Sequence, residues 1–572
     1  MNGKGKSWLL SLVLGLSACC KPALSEDGGV APDAVTADVP PNICGERIDT
    51  DGDSISNENE GQGDADGDGI PNREDLDSDG DGVSDGLEAG DEDCTTPPVD
   101  TDEDGLPDYL DNDSDDDGAS DAEEERAGSS RVLGDSDADG VGDLEEIAFS
   151  HFHCENEPAT CDCVIKPTCM VPREVTIAVL AEGMSAEFDI SFSTSILAAD
   201  VFFLVDTTRS MDGTLTNVKS VLDGGDLVSQ IQAHIPDVRF GGGQHDDFPL
   251  GPYGSGDDET FLLARAMTPP ASVTLLVDAL MAMEVHGGGD GPEGHVQALH
   301  QLISGEGGSW RYTDDASPSS YEARPTAGDC LSGYGAACFR EDVLPIVLHF
   351  TNACAHNGPP GEFVECTPYA NIDPSVGTWS EMVAELNVRG AKYLGVNATR
   401  TACQEDAPAT STSPCYFLQQ TAMATSTVRE GRSLILDVAN DAELDDFRTA
   451  IAAAIELVAT RVPLRVNALT QGDAERFVRL FRPACVADEP TSPCWTPPAG
   501  VSSAEAVGAV DEVFFQQVLP GTQVVFRLEL RNDGTAAGRR SQLSRAALEA
   551  RAGPLLLQTL ELIVAVPAAS EG

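Results

Sequence analysis

The chain has 572 residues, 98 of them acidic against 33 basic, for a formal net charge of −65. A surplus of that size repels phosphate backbones and argues against nucleic acid and anionic lipid headgroups as partners. The length allows several domains.

At the amino terminus, Lys4 and Lys6 precede the apolar run from Trp8 to Leu16, which is too short for a stable membrane span and reads as a signal peptide over residues 1–18. Leu16-Ser17-Ala18-Cys19 resembles a bacterial lipobox. The resemblance implies that Cys19 becomes the new amino terminus, is acylated and anchors the protein to a membrane. Cys20 stands where an aspartate is absent, which points to the outer membrane or cell surface of the bacterial envelope. A plain secretory signal is the alternative. Residues 19–43, rich in Pro, Ala and Asp, read as a flexible tether.

From residue 44 to 150 one pattern recurs: Asp-x-Asp-x-Asp-Gly-apolar-x-Asp/Asn-x-x-Glu/Asp. The first copy has Asp49, Asp51, Asp53, Asn57 and Glu60, with Ser54 in place of glycine; the second has Asp64, Asp66, Asp68, Asn72 and Asp75. The third has Asp77, Asp79, Asp81, Asp85 and Glu88, and the fourth Asp100, Asp102, Asp104, Asp108 and Asp111. The fifth has Asp113, Asp115, Asp117, Asp121 and Glu124, and the sixth Asp135, Asp137, Asp139, Asp143 and Glu146. These are the oxygen positions of a calcium loop, with a glycine turn at position six and an acid at twelve. The starts lie about 13 to 15 residues apart, with two intervals near 22, too close for the flanking helices of EF-hands. The spacing is similar to that of thrombospondin type 3 repeats, which implies an irregular chain wrapped around a row of Ca²⁺ ions. Each copy supplies one or two apolar residues, such as Ile70, Val83, Leu106 and Val141, so folding is expected to need calcium. Without it, the block would be a disordered acidic linker.

The chain carries 16 cysteines. With Cys19 acylated, Cys20 reads as the unpaired one, and the rest lie in local groups. Cys330 and Cys338, Cys354 and Cys366, Cys403 and Cys415, and Cys485 and Cys494 are spaced for short-loop disulfides in an oxidising compartment. In the Cys-rich connector 151–172, Cys154, Cys161, Cys163 and Cys169 imitate a zinc cluster with His151 and His153. Their irregular spacing favours disulfides.

Asp200-Val-Phe-Phe-Leu-Val205 is apolar on both faces, as a central strand of a parallel sheet is. Pro345–Phe350, Lys392–Asn397 and Ser433–Asp437 read as further strands. Asn440 to Arg461 reads as a helix capped by Asn440 or Asp441, with Leu444, Phe447, Ile451, Ile455 and Val458 on one face. Asp206 falls at the carboxyl end of its strand, the edge where open α/β sheets bind ligands. Asp206, Thr208 and Ser210 can line one side of an oxygen-only cation site, although the same residue types are also common helix caps.

With Asp290-Gly-Pro292-Glu293-Gly294 in a later loop, residues 197–462 resemble a von Willebrand factor A domain, and within that family the inserted domain of integrin β subunits. The resemblance implies a doubly wound α/β fold and a metal-ion-dependent adhesion site for Mg²⁺, Ca²⁺ or Mn²⁺ that includes Asp206, Thr208, Ser210 and Glu293. It also implies an adjacent Ca²⁺ site with Asp247, Asp290 and Pro292, Gly288 lying in the same loop. Asn352 stands where the family has an aspartate, which lowers the expected metal affinity. The Met211-Asp212-Gly213-Thr214 stretch lacks the successive aspartates of the family's third site, which is expected to be absent or weak.

Flanking segments 173–196 and 463–572 alternate at period two, as in Phe188, Ile190, Phe192 and in Val524, Phe526, Leu528, Leu530. They resemble the β-sandwich into which integrin β subunits insert their A-type domain. Val513–Leu519 and the Arg-rich 539–551 have no assigned place. The expected function is cation-dependent adhesion by a surface lipoprotein, with a protein or glycan ligand whose acidic group completes the metal shell, and no small-molecule substrate. The alternative is a scaffold of an envelope complex whose metal site has decayed at Asn352. An enzyme is not expected: His245, Asp246, Asp247, His286 and His295 lack metalloprotease spacing, and no Gly-x-Ser-x-Gly elbow occurs.

Overall fold

The computed structural model describes residues 42–44, 47–138, 140–156, 175–223, 225–313, 319–323, 330, 333–361, 366, 368–399, 401–403, 413–438, 443–485, 494–538 and 540–568. The signal peptide, Cys19, Asp139 and most of the Cys-rich connector lie outside the described residues.

In chain order, β1 (Val175–Val179) and β2 (Ser185–Ser193) lead into β3 (Ala198–Asp206), β4 (Asp237–His245), β5 (Leu262–Thr268), β6 (Leu344–Thr351), β7 (Lys392–Asn397) and β8 (Ile435–Asp437). These are followed by β9 (Leu464–Gly472), β10 (Val478–Pro483), β11 (Trp495–Thr496), β12 (Val507–Val510), β13 (Phe515–Val518), β14 (Gln523–Arg531), β15 (Gln542–Ala552) and β16 (Leu555–Val566). The central sheet has the order β8-β7-β6-β3-β4-β5, parallel throughout except for β5. Every residue of β6 is buried, and so is every residue of β3 after Ala198. The chain is thus a mixed α/β protein with several sheets.

Helix Leu444–Arg461 buries Phe447, Ile451, Ile455 and Val458 as its periodicity requires, but its cap is Glu443. Asn440 and Asp441 lie outside the described residues. The flanking strands form two more sheets. One runs β12-β13-β9-β15-β16-β1, and in the other β14 pairs with β2 on one edge and with β10 and β11 on the opposite edge. Segments without an assigned place in the sequence supply β13 and β15. The four local cysteine pairs are disulfides.

The acidic block consists of six loops of one build. The side chain at position nine accepts the backbone N–H of position two in every copy: Asn57 from Thr50 (2.9 Å), Asn72 from Ala65 (3.0 Å), Asp85 from Ser78 (2.7 Å), Asp108 from Thr101 (2.8 Å), and Asp121 and Asp143 from Ser114 and Ser136 (both 3.0 Å). Ser78, Ser114 and Ser136 also donate their hydroxyls to the second carboxylate oxygen at 2.6 Å. Position nine, read from the sequence as an ion donor, also ties the loop shut, and Asp85 lies with Asp53 and Glu60 in a group that could hold an ion.

The loops fall into two classes. Copies one, three, five and six end in glutamate and run into α-helical turns (Asn57–Glu60, Asp85–Glu88, Asp121–Ala127, Asp143–Asn156). Copies two and four carry Pro71 or Pro107 before position nine, end in aspartate and form only 3₁₀ turns. Copies three and five of the first class touch each other, and Ile55 of copy one packs with Ala89 and with Tyr109 of copy four. The N–H of Ala122 in copy five donates to Asp81 of copy three (3.1 Å), and Ile55, Val83 and Ala119 are buried while Ile70 of copy two is 42% exposed.

Copies five and six dock on the sheet that contains β16. Ala119, Leu144, Ile147 and Ala148 share a core with Ile563 and Ala565, and the Ala568 N–H donates to the Gly118 carbonyl (2.9 Å). Gly118 has φ +98°, and a Cβ there would lie 2.6 Å from Pro567. Gly118→Ala is expected to cost about 1–3 kcal/mol through backbone strain alone, and more through the clash. Gly105, with φ +102° and nothing within 4 Å, is the control for strain without collision. Thermal unfolding in saturating calcium should show the larger drop for Gly118→Ala.

Candidate metal centres

Three loops meet at the carboxyl edge of the central sheet. Parallel pairing sets Asp206 of β3 opposite His245 of β4, and Val205 opposite Phe350 of β6. The glycine-rich loop 287–294 is fastened to all three neighbours. The His286 N–H donates to the Thr207 carbonyl (2.8 Å), the Glu293 N–H to the Cys354 carbonyl (2.9 Å), and the Gly294 N–H to the Asp246 carbonyl (3.0 Å). A Cβ at Gly294 would sit 2.9 Å from that Asp246 oxygen, so the approach requires glycine.

These anchors bring Asp206, Thr208, Ser210, Glu293 and Asn352 together. Asp206 is fully buried. Its Oδ1 accepts from the Thr208 N–H (3.0 Å) and the Thr208 hydroxyl (2.7 Å), and its Oδ2 from the Thr351 hydroxyl (2.8 Å). Thr351 carries no spacing signal in the sequence, and its role emerges only from the pairing of β6 with β3. The Thr208 hydroxyl also reaches Glu293. Burial raises the Asp206 carboxyl above its ordinary range. Glu293 is pushed up to about 11 by burial first, then by the charges of Asp206 and Asp247. Two carboxylates forced into one dry pocket repel each other unless a cation lies between them. Oxygen donors alone suit a hard divalent ion.

Asn352 uses both polar atoms on Ser210. Its Oδ1 accepts the Ser210 hydroxyl (2.8 Å), and its Nδ2 donates to the Ser210 carbonyl (3.1 Å). Asn352→Asp adds a carboxylate at this position and is expected to tighten Mg²⁺ binding about 10- to 100-fold, read by calorimetry, while lowering the metal-free melting temperature.

The adjacent sequence-read residues differ in burial. Asp247 is fully buried and Pro292 is buried, while Asp290 is exposed and Gly288 takes φ +70° beside Thr208 and Glu293. Asp247 and Asp290 converge on His356, which the sequence reading missed.

The histidines weighed for catalysis have other partners. His286 Nδ1 donates to Asp246 (2.7 Å), and that bond raises its pKa. His245, His295 and His349 form a buried cluster under the site. Hydrogen bonds link its members: His349 Nδ1 pairs with the Tyr393 hydroxyl (2.7 Å), His349 Nε2 with His245 Nε2 (2.9 Å), and His245 Nδ1 with the Asp246 carbonyl (3.2 Å). Burial holds His295 and His349 well below the ordinary imidazole value, which agrees with neutral rings.

In the acidic block, buried carboxylate oxygens without a hydrogen bond cluster at positions one, three, five and twelve. They include Asp49 Oδ2, both oxygens of Asp51, Asp53 Oδ2, both oxygens of Glu60, Asp115 Oδ2, Asp117 Oδ2 and Glu124 Oε2. Burial and neighbouring aspartates push Asp51 up to about 7, Glu60 to about 9 and Glu124 to about 10. Such oxygens, inward-facing and unsatisfied, fit divalent cations.

No protein-family model and no curated protein matches the chain. Among solved structures, it is similar to a von Willebrand factor type A protein from Catenulispora acidiphila, at 11% identity and TM-score 0.27 over 68% of this chain and 71% of that one. It is also similar to the pilus adhesin SpaC from Lactobacillus rhamnosus GG, at 12% identity and TM-score 0.26, over 68% of this chain and 46% of that one. Proximal thread matrix protein 1 from the mussel byssus matches at 12% identity and TM-score 0.26, with 49% and 51% covered.

Proposed function

We propose that the protein is a calcium-binding lipoprotein of the bacterial cell envelope, anchored through Cys19, that binds an acidic protein or glycan ligand through a divalent cation at Asp206. In this reading, residues 197–462 are an A-type adhesion domain carried on a β-sandwich built from the two outer sheets. The acidic block is a calcium-stiffened stalk fused to that sandwich through copies five and six. The observation that carries the reading is the enforced meeting of Glu293 with Asp206. Three backbone hydrogen bonds hold the second loop where its carboxylate must share a dry pocket with the first. Ser210 at the rim is exposed, so a ligand carboxylate can reach the ion from outside.

The test is capture of envelope or host-surface extract by the full chain in Mg²⁺, in Ca²⁺ and in chelator. Capture that needs the cation and vanishes in Asp206→Ala supports adhesion. Capture that persists in that variant rejects it. The closed pairing of Asn352 with Ser210 favours the second reading, a structural scaffold with a weakened metal site, and cation-independent capture is its signature.

A further inference from the structure

Beside the adhesion site, resemblance implies an all-oxygen calcium site at Asp247 and Asp290, but the residues present do not match that description. A histidine enters the set. His356 Nε2 lies 3.4 Å from Asp247 Oδ2 and 3.3 Å from Asp290 Oδ1. We propose that Asp247, Asp290 and His356 form a mixed nitrogen–oxygen site that prefers a first-row transition ion of the Zn²⁺ type over calcium. The inference rests on the proposed adhesion fold for its setting and on these three side chains for its chemistry.

Donor type is the first argument. Calcium takes six to eight oxygens and gains little from imidazole, whereas Zn²⁺ binds imidazole and carboxylate together. Separation is the second. Tetrahedral donors at ~2.0–2.1 Å from an ion stand roughly 3.3–3.4 Å apart, as the imidazole nitrogen does from both carboxylates.

The supporting shell is the third argument. Asp247 is fully buried, and its Oδ2 accepts no hydrogen bond. Its Oδ1 is occupied, because the Phe248 N–H (2.6 Å) and the Tyr369 hydroxyl both donate to it, which leaves Oδ2 turned toward the imidazole. The His356 ring packs against two aromatic rings that also touch each other, with centroids 4.3 Å from Tyr369 and 5.2 Å from Tyr253. Ligands oriented by such outer partners are the mark of a built metal site. Asp290 is exposed and offers the ion a way in.

The site is also coupled to the adhesion carboxylate. The His356 N–H donates to the Glu293 carbonyl (3.0 Å), and the Glu293 N–H donates to the Cys354 carbonyl (2.9 Å). An ion that fixes His356 therefore fixes the backbone of Glu293. The competing arrangement needs no metal: a protonated His356 paired with both aspartates fills the same space.

The experiment uses the chelator-stripped full chain returned to excess Ca²⁺ and Mg²⁺, then titrated with Zn²⁺ in a calorimeter. One equivalent is expected to bind. His356→Gln and, at the exposed ligand, Asp290→Asn should each weaken that equivalent about 10- to 100-fold, with unchanged circular dichroism. Asp206→Asn should leave it in place. Loss of Mg²⁺-dependent capture in Asp206→Asn speaks only to the adhesion reading, so failure of one proposal is separable from failure of the other. Absence of Zn²⁺ uptake over calcium, or uptake indifferent to both His356→Gln and Asp290→Asn, overturns the inference and leaves the salt bridge.

Discussion

Chelation of the full chain is expected to abolish the ordered structure of residues 49–146 while the central sheet keeps its protection against amide exchange. Among the described residues, the core of the acidic block away from the sheet comprises Ile55, Ala89 and Tyr109, with Leu110 against them, too little apolar surface, even with Cys94 disulfide-bonded, to offset the entropy of about a hundred ordered residues. Against that stand buried carboxylates pressed together without counter-charge. Burial is the main cause that lifts Asp53 to about 6, Glu60 to about 9, Glu124 to about 10 and Glu88 to about 11.

The sign of the pH dependence follows. Folded values above the unfolded ones mean that the folded, metal-free block binds protons more tightly than the unfolded chain. Its stability is therefore greatest below about pH 4.5 and is lost as pH rises through the window from about 6 to about 11. Calcium is expected to reverse the trend, because an ion held by these carboxylates would replace those protons. Circular dichroism of the chelated protein should thus recover on acidification, and calcium titrations near pH 7 should release protons, read from heats in two buffers of different ionisation enthalpy. Retained protection at pH 8 in chelator, with no proton release, would contradict the calcium-dependent reading.

What the sequence disclosed, and what it concealed, divides along a physical line. Patterns local in the chain were readable. Val201 to Val205, before Asp206, are all apolar because β3 is covered on both faces, and disulfides such as Cys403–Cys415 join residues 12 apart. Positions defined by pairing between distant segments were not readable. Thr351 and His356 meet Asp206 and Asp247 across more than a hundred residues, and nothing in their own neighbourhood announces it. β15 was missed for another reason. One face carries Arg545, paired to Glu561, and Arg551, paired to Asp342, and Arg539 and Arg540 precede the strand, so a half-buried strand looked like a basic loop. In the acidic loops, the linear pattern shows the position-nine side chain only as an oxygen donor, and the geometry adds that it accepts the backbone N–H of position two.

Replacement of Asp206 by alanine carries the second large effect. The change removes a fully buried carboxylate that accepts three hydrogen bonds, two from Thr208 and one from Thr351. Each donor left alone costs on the order of 1–3 kcal/mol. The same change relieves Glu293, whose carboxyl is held near 11 by burial and then by the charge of Asp206. These terms oppose each other in chelator, so the metal-free variant is expected to melt within a few degrees of the parent. The difference appears when the ion is added. An ion at 100 times its dissociation constant stabilises the protein that holds it by about 2.7 kcal/mol, and a protein unable to hold it gains nothing. Since the acidic block also responds to divalent ions, the readout must be local: amide exchange across Thr207–Ser210 and Gly287–Glu293 in chelator and with Mn²⁺ as the only divalent ion. The parent should slow by about 100-fold, and Asp206→Ala should not respond. Equal slowing in both proteins would mean that the cation, if bound, lies elsewhere, and that Glu293 meets Asp206 for a reason other than metal.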